Sequence, residues 1–201
     1  MDATVFVVDD DAGVCGLLAT EITAAGYRAI QFNSAEDFLA KFTDGERGCV
    51  LLDMRLPGMS GIELLETLRN RHIGMPVIIM SAYGDIPHAV RSMQLGAVDF
   101  IEKPFDHPVM LAKIAAAVQE DTSRRQRQVE SDAARQRLAS LTPREIGLLK
   151  ELMAGKSSRT IAGELKLSVR TVEKHRDNIM GKTHALNTAE LVRMATIAGV
   201  G

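Results

Sequence analysis

The sequence predicts a two-part α/β protein: an open, doubly wound sheet of five parallel strands, followed by a small all-α domain of four helices. Three observations carry this. Over residues 1–119, short apolar runs alternate with stretches of helical period, giving five strand–helix units. The runs are apolar at nearly every position, as strands covered on both faces must be. Beyond residue 140 the strand pattern stops and only helical spacing remains. Charge changes sign at the same place. Residues 1–121 hold 9 Lys and Arg against 18 Asp and Glu, a net −9, and residues 122–201 hold 15 against 8, a net +7. Two such parts suit different partners, and the basic one suits nucleic acid.

In the first half, Thr4–Val8 is a β-branched apolar run and reads as a buried strand. Val14, Leu17, Leu18 and Ile22 recur at helical spacing over residues 12–25, and Gly26 ends that helix. Tyr27–Phe32 is the second strand. Ser34 opens a short helix carrying Phe38, Leu39 and Phe42, and Cys49–Leu52 is the third strand. Ser60 caps the next helix with Glu63 three residues on, a capping box, and Leu64, Leu65 and Leu68 line its inner face. Pro76–Met80 is the fourth strand. A helix capped by Asp85 runs to about Leu95 and Gly96, Val98–Ile101 is the fifth strand, and a last helix spans His107 to about Gln119.

Residues 121–139 are rich in Arg, Gln, Glu and Ala with almost no large apolar side chain, and read as a charged, partly helical linker between a domain at 1–120 and another at 140–201. In the second domain Thr142–Pro143 starts a helix that ends at Gly155. A short helix begins at Ser158, Lys166–Ser168 is a tight turn, and helices follow at Val169–Thr183 and Thr188–Ala198. A short helix, a three-residue turn and a longer helix form a helix-turn-helix pattern.

Composition excludes several classes. With 46% hydrophobic and 25% charged residues the chain is neither disordered nor of low complexity. No apolar run reaches the roughly 18 residues of a membrane helix. The acidic start lacks the basic region of a secretion signal. Cys15 and Cys49 stand alone, so neither a disulfide framework nor a zinc site is expected, and the cytoplasm is the expected compartment.

Asp9, Asp10 and Asp11 follow the first strand and Asp53 the third; Ser81 follows the fourth and Lys103 the fifth. In a doubly wound sheet ligands bind beyond the carboxyl ends of the strands, so these groups converge there. Clustered ionised carboxylates repel one another unless a cation intervenes, and their hard oxygens suit Mg²⁺. The segments VFVVDD (5–10), VLLDMRLPGM (50–59), IMSA (79–82) and GAVDFIEKPF (96–105) resemble the receiver domain of two-component response regulators over residues 3–119. That resemblance implies a flavodoxin-like fold with Asp53 as phosphate acceptor for a sensor histidine kinase. It implies Asp10, Asp53 and the Arg55 carbonyl as Mg²⁺ ligands, with Asp9 beside the metal. Lys103 would bind phosphate, Ser81 and Phe100 would be the switch pair, the Lys103–Pro104 bond would be cis, and Arg55 and Tyr83 would tune the lifetime of the acyl phosphate.

Residues 141–195, with LTPRE, AGKSSRTIA and LSVRTVEKH, resemble a LuxR-type helix-turn-helix domain. They depart from it in Ser157–Thr160, in Thr183 where Leu is usual, and in Asn187 where Arg is frequent. Helical geometry puts Val172, Ile179 and Thr183 on a buried stripe, and Arg170, Glu173, Lys174, Asp177 and Asn178 on the opposite one, facing the DNA major groove. Lys reads guanine, and Glu or Asp accept from cytosine N4. Thr171, His175, Arg176 and Lys182 are placed for phosphates, His175 alternatively for packing.

Together the two parts resemble the FixJ type of LuxR-output response regulators. This implies a regulator of transcription, not an enzyme, that forms a homodimer on phosphorylation, binds double-stranded DNA and acts on RNA polymerase. Val90, Met93 and Phe100 are the expected dimer face. A haloacid-dehalogenase phosphatase would need Asp at Arg55, and an acyl-lactone sensor would need an apolar pocket that this acidic half does not offer.

Overall fold

The computed structural model describes residues 3–82 and 86–200. Its first unit spans 1–124 and its second 125–201. In the first unit, β1 (Thr4–Val8), α1 (Ala12–Ala24), β2 (Arg28–Phe32), α2 (Ala35–Lys41), β3 (Gly48–Asp53), α3 (Gly61–Asn70), β4 (Val77–Ala82), α4 (Ile86–Gln94) and β5 (Asp99–Lys103) alternate, and α5 starts at His107. The strands are all parallel in the order β2-β1-β3-β4-β5. The reversal of order lies between β1 and β3, where such sheets place their ligands.

Alternation along each strand divides the core between the two faces. Val5, Val7, Leu51, Ile78 and Met80 pack with Cys15, Leu18 and Ile22 of α1 and Met110 and Ile114 of α5. Phe6, Val8, Val50, Leu52 and Ile79 pack with Phe38 of α2 and Leu64, Leu65 and Leu68 of α3. Truncating one of these buried leucines to Ala costs roughly 2–5 kcal/mol. Asp11, Ser34 and Ser60 cap α1, α2 and α3, the last with the reciprocal Glu63 bond. The expected Asp85 cap lies outside the described residues.

Several boundaries differ from expectation, among them the third strand, which takes in Asp53. The fourth and fifth strands run on to Ala82 and Lys103, because Ser81 pairs with Glu102 and Ala82 with Lys103. Ser81 and Lys103 therefore belong to the strand ends instead of following them. The helix expected to stop near Gln119 continues as α5 (His107–Leu138), so residues 121–138, expected to be only partly helical, are helical throughout. No Gly or Pro interrupts residues 109–142. Gln126 and Gln128 donate to Glu130 and Asp132 one turn on, at 2.9 and 3.0 Å. Ala134 and Leu138 bury against the second unit's core, beside Leu149, Ile161 and Leu191.

The second unit adds α6 (Pro143–Met153), α7 (Ser158–Leu165), α8 (Val169–Thr183) and α9 (Thr188–Ala198). Thr142 and Glu145 form a capping box on α6, and Ser157, Ser168 and Asn187 cap the other three. The cap accounts for Asn187, whose side chain accepts from the Glu190 N–H at 2.9 Å. Thr183 is fully buried, with its hydroxyl satisfied by the Ile179 carbonyl at 2.8 Å. Val172 and Ile179 are buried beside it, and the turn between α7 and α8 bends at Lys166, φ +53°.

Candidate functional site

The carboxyl ends of β1, β3 and β5 bring four charged side chains together. Asp9 is fully buried, Asp53 is buried at the end of β3, and Asp10 is exposed. One carboxylate oxygen from each lies within 4.8 Å of the others. The Lys103 ammonium bridges two of them, donating to Asp9 Oδ2 at 2.7 Å and Asp53 Oδ2 at 2.9 Å. Burial alone would lower the Lys103 pKa, but its bonds to Asp53 and Asp9 outweigh that and hold it above the ordinary value.

The backbone completes the arrangement. The Arg55 N–H donates to Asp53 Oδ1 at 3.2 Å, so each oxygen of that carboxylate has a donor. The Asp11 N–H donates to Asp9 Oδ1 at 3.0 Å, while the Asp11 side chain caps α1. Gly61 is required at the start of α3, since a Cβ there would stand 2.1 Å from the Asp53 carbonyl oxygen. Ser81 is buried one residue beyond Met80, the β4 partner of Asp53. The Lys103–Pro104 peptide is cis. Tyr83 lies outside the described residues.

Sequence reasoning did not anticipate Cys15. Its thiol donates to the Asp9 carbonyl at 3.3 Å, and burial with the nearby Asp9 charge pushes its pKa up to about 11, so it is a neutral donor. Helical spacing from Asp11 puts it one turn into α1 beneath the site, the only signal the sequence held.

Among the described residues the donor set fits a hard divalent cation: three carboxylates, with the Lys103 ammonium offsetting two of them.

Val90, Met93 and Phe100 are 51%, 42% and 43% exposed. On α8, Arg170, Glu173, Lys174, Asp177 and Asn178 are all exposed, and Thr171, His175 and Arg176 half-buried. The Lys182 ammonium donates to Glu145 Oε2 at 2.7 Å, a tie between α8 and α6. The Thr171 hydroxyl bonds Ser168 Oγ at 2.7 Å at the start of α8.

This sheet with its acidic strand ends, followed by a helix-turn-helix unit, defines a response regulator, and family comparison agrees. The response regulator receiver domain model matches residues 5–115, and that of bacterial regulatory proteins of the luxR family matches residues 139–195. The chain belongs to the two-component response regulators with a LuxR-type DNA-binding domain, and is a regulator, not an enzyme. Its relatives include the transcriptional regulatory protein FixJ of Azorhizobium caulinodans, 43% identical over 98% of this chain and 93% of that protein. FixJ of Rhizobium meliloti is 40% identical over 100% and 98%. The structure of the response regulator StyR aligns with a TM-score of 0.81 at 40% identity, covering 98% of this chain and 99% of the other. Among the described residues no helix is long and apolar enough to cross a membrane.

Proposed function

We propose that Asp53 accepts a phosphoryl group from a sensor histidine kinase, and that the modified receiver dimerises and enables the second domain to bind double-stranded DNA and act on RNA polymerase in the cytoplasm. The supporting observation is the Lys103 ammonium bridging Asp9 and Asp53 within a three-carboxylate cluster at the strand ends. An Asp53 carboxylate oxygen forms the new bond to phosphorus as the bond from phosphorus to the kinase's histidine nitrogen breaks, leaving an acyl phosphate. Such transfers depend on positioning and charge neutralisation. Lys103 is placed to pair with the added phosphoryl oxygens, and Ser81 to offer a hydroxyl from the neighbouring strand. Mg²⁺, with Asp10, Asp53 and the Arg55 carbonyl as ligands and Asp9 beside it, supplies further charge neutralisation when bound.

The added charge biases a two-state element, for which Ser81 and Phe100 are the switch pair. Exposed Val90, Met93 and Phe100 offer an apolar face for a second copy. On α8, Arg170, Glu173, Lys174, Asp177 and Asn178 face the major groove, and Thr171, His175, Arg176 and Lys182 approach phosphates. Lys182 keeps N–H donors beyond the one given to Glu145.

Incubation with acetyl phosphate and Mg²⁺ should label wild type and raise its light-scattering mass, and Asp53→Asn should do neither. An Asn variant that labels as strongly as wild type refutes the assignment.

A further inference from the structure

We propose that Glu36 is a positioning residue for the phosphoacceptor, clamping the loop between β3 and α3 that orients Asp53; this rests on the assignment of Asp53 above. The loop covers residues 54–60 and is anchored at both ends. At its start the Met54 N–H donates to the Met80 carbonyl at 3.0 Å, and the Arg55 N–H to Asp53 Oδ1 at 3.2 Å. At its finish the Gly61 N–H returns to the Met54 carbonyl at 3.1 Å, and Ser60 enters the capping box of α3. The crest between these anchors is held from a different element. The Met59 N–H donates to Glu36 Oε1 at 2.9 Å. Gly58, at φ +76°, brings its backbone so close that a Cβ would stand 2.7 Å from the same oxygen.

Glu36 stands in the first turn of α2, behind the Ser34 cap that fixes where this helix begins. Its carboxyl is held below the ordinary range, chiefly by the Met59 N–H, so it is an ionised acceptor at neutral pH. Its separation from Met59 of 23 residues hides the pair from any local sequence pattern.

The consequence follows from how Asp53 is held. Lys103 engages Oδ2 and the loop's Arg55 N–H engages Oδ1, so the two donors together fix the rotation of the carboxylate. A crest released from Glu36 lets the Arg55 N–H drift and the carboxylate turn away from the line of attack. Glu36 touches no reacting atom and acts through the loop. A misplacement of about 1 Å at a reacting group can cost up to about 10²-fold in rate.

The test uses the full chain with three variants, Glu36→Ala, Glu36→Gln and Asp53→Asn, labelled from acetyl phosphate with Mg²⁺. Exchange of the Met59 and Arg55 amides is followed by NMR. Glu36→Ala should label about three- to tenfold more slowly, because a charge-assisted bond to an exposed loop is lost. Its Met59 amide should lose protection while thermal melting stays close to wild type. Glu36→Gln keeps an oxygen that accepts from Met59 and should label within about twofold of wild type. Wild-type labelling by Glu36→Ala, or equal slowing by Gln and Ala, overturns the clamp alone. A wild type that takes no label, or Asp53→Asn that labels normally, overturns the phosphoacceptor reading and the clamp with it.

Discussion

Replacing Lys103 with Met should slow phosphorylation and at the same time tighten Mg²⁺ binding. The ammonium lies 2.7 Å from Asp9 Oδ2 and 2.9 Å from Asp53 Oδ2, and its side chain is 26% exposed. It therefore competes for two of the three carboxylates that would hold a dication. Unit charges 4 Å apart interact by about 1 kcal/mol in water and about 4 kcal/mol at the effective permittivity of a protein surface. Removing the competitor should strengthen cation binding by about 1–3 kcal/mol, about 5- to 150-fold. The transferred phosphoryl group, in contrast, loses a fixed cation, and one such electrostatic group is worth about 10²–10³ in rate. The chain contains no Trp, so calorimetric titration with Mg²⁺ is the binding assay, and labelling from acetyl phosphate at saturating Mg²⁺ is the rate assay. The raised Lys103 pKa also sets a sign for stability. Its contribution is fully present below the unfolded Lys value of about 10.4 and is lost as pH rises through the higher folded value. Unchanged or weaker Mg²⁺ binding in the Met variant would refute the competition, and unchanged labelling would refute the contact with phosphate.

Two further outcomes concern the second domain. Lys174→Ala should relax base preference at one position at a cost of about 1–3 kcal/mol, whereas Arg176→Ala should weaken all sequences alike and reduce the salt slope by about 1. Titrations of selected and scrambled duplexes across salt check both, and an exchange of the two phenotypes would rotate the assigned groove face. Glu145 accepts from Lys182 at 2.7 Å and from the Thr142 N–H at 2.8 Å, and these bonds, Lys182 first, lower its pKa to about 2. Its stabilisation is present above the unfolded Glu value of about 4.3 and lost as pH falls through about 2. Glu145→Gln keeps a capping oxygen but loses the charge paired with Lys182, so it should remove that dependence and cost about 1–2 kcal/mol in helical melting at neutral pH; a variant melting like wild type across this range would show the charge pair to be dispensable.

The parallel sheet was legible because its three central strands, β1, β3 and β4, are apolar at nearly every position, a pattern that few other structures produce, and the strand-end site came with it. Once five parallel strands are placed, Asp9, Asp53 and Lys103 must meet at one edge, whatever their separation in sequence. What escaped reading depends on contacts that no local pattern encodes. Residues 121–138 looked like a linker because their apolar content is confined to small or widely spaced residues, Ala134 and Leu138 among them. Burial of that pair needs the second unit's core, which the segment itself does not announce. Cys15 and Glu36 act through backbone atoms of Asp9 and Met59, and a backbone atom carries no residue identity to be recognised.

Helical period separated the faces of α8 well, with Val172, Ile179 and Thr183 inside and the charged stripe outside, but period alone does not tell a free charge from an engaged one. Lys182 is tied to Glu145, so any phosphate it meets competes with a carboxylate that lies only 7% exposed. Arg170, Lys174 and Arg176 make no side-chain hydrogen bond or ion pair among the described residues, and neither do Glu173 and Asp177. That mixture of signs bears on the proposed DNA contact. A helix evolved only to hold the phosphate backbone would gain from every basic side chain and lose from every acidic one, since its affinity is set by phosphate neutralisation. Two unpaired carboxylates on the proposed groove face would weaken such binding unless they found base donors, and cytosine N4 is the donor the major groove offers them. On the proposed groove face, Glu173 and Asp177 would tilt the helix away from indiscriminate affinity and toward sites that supply cytosine at matching positions.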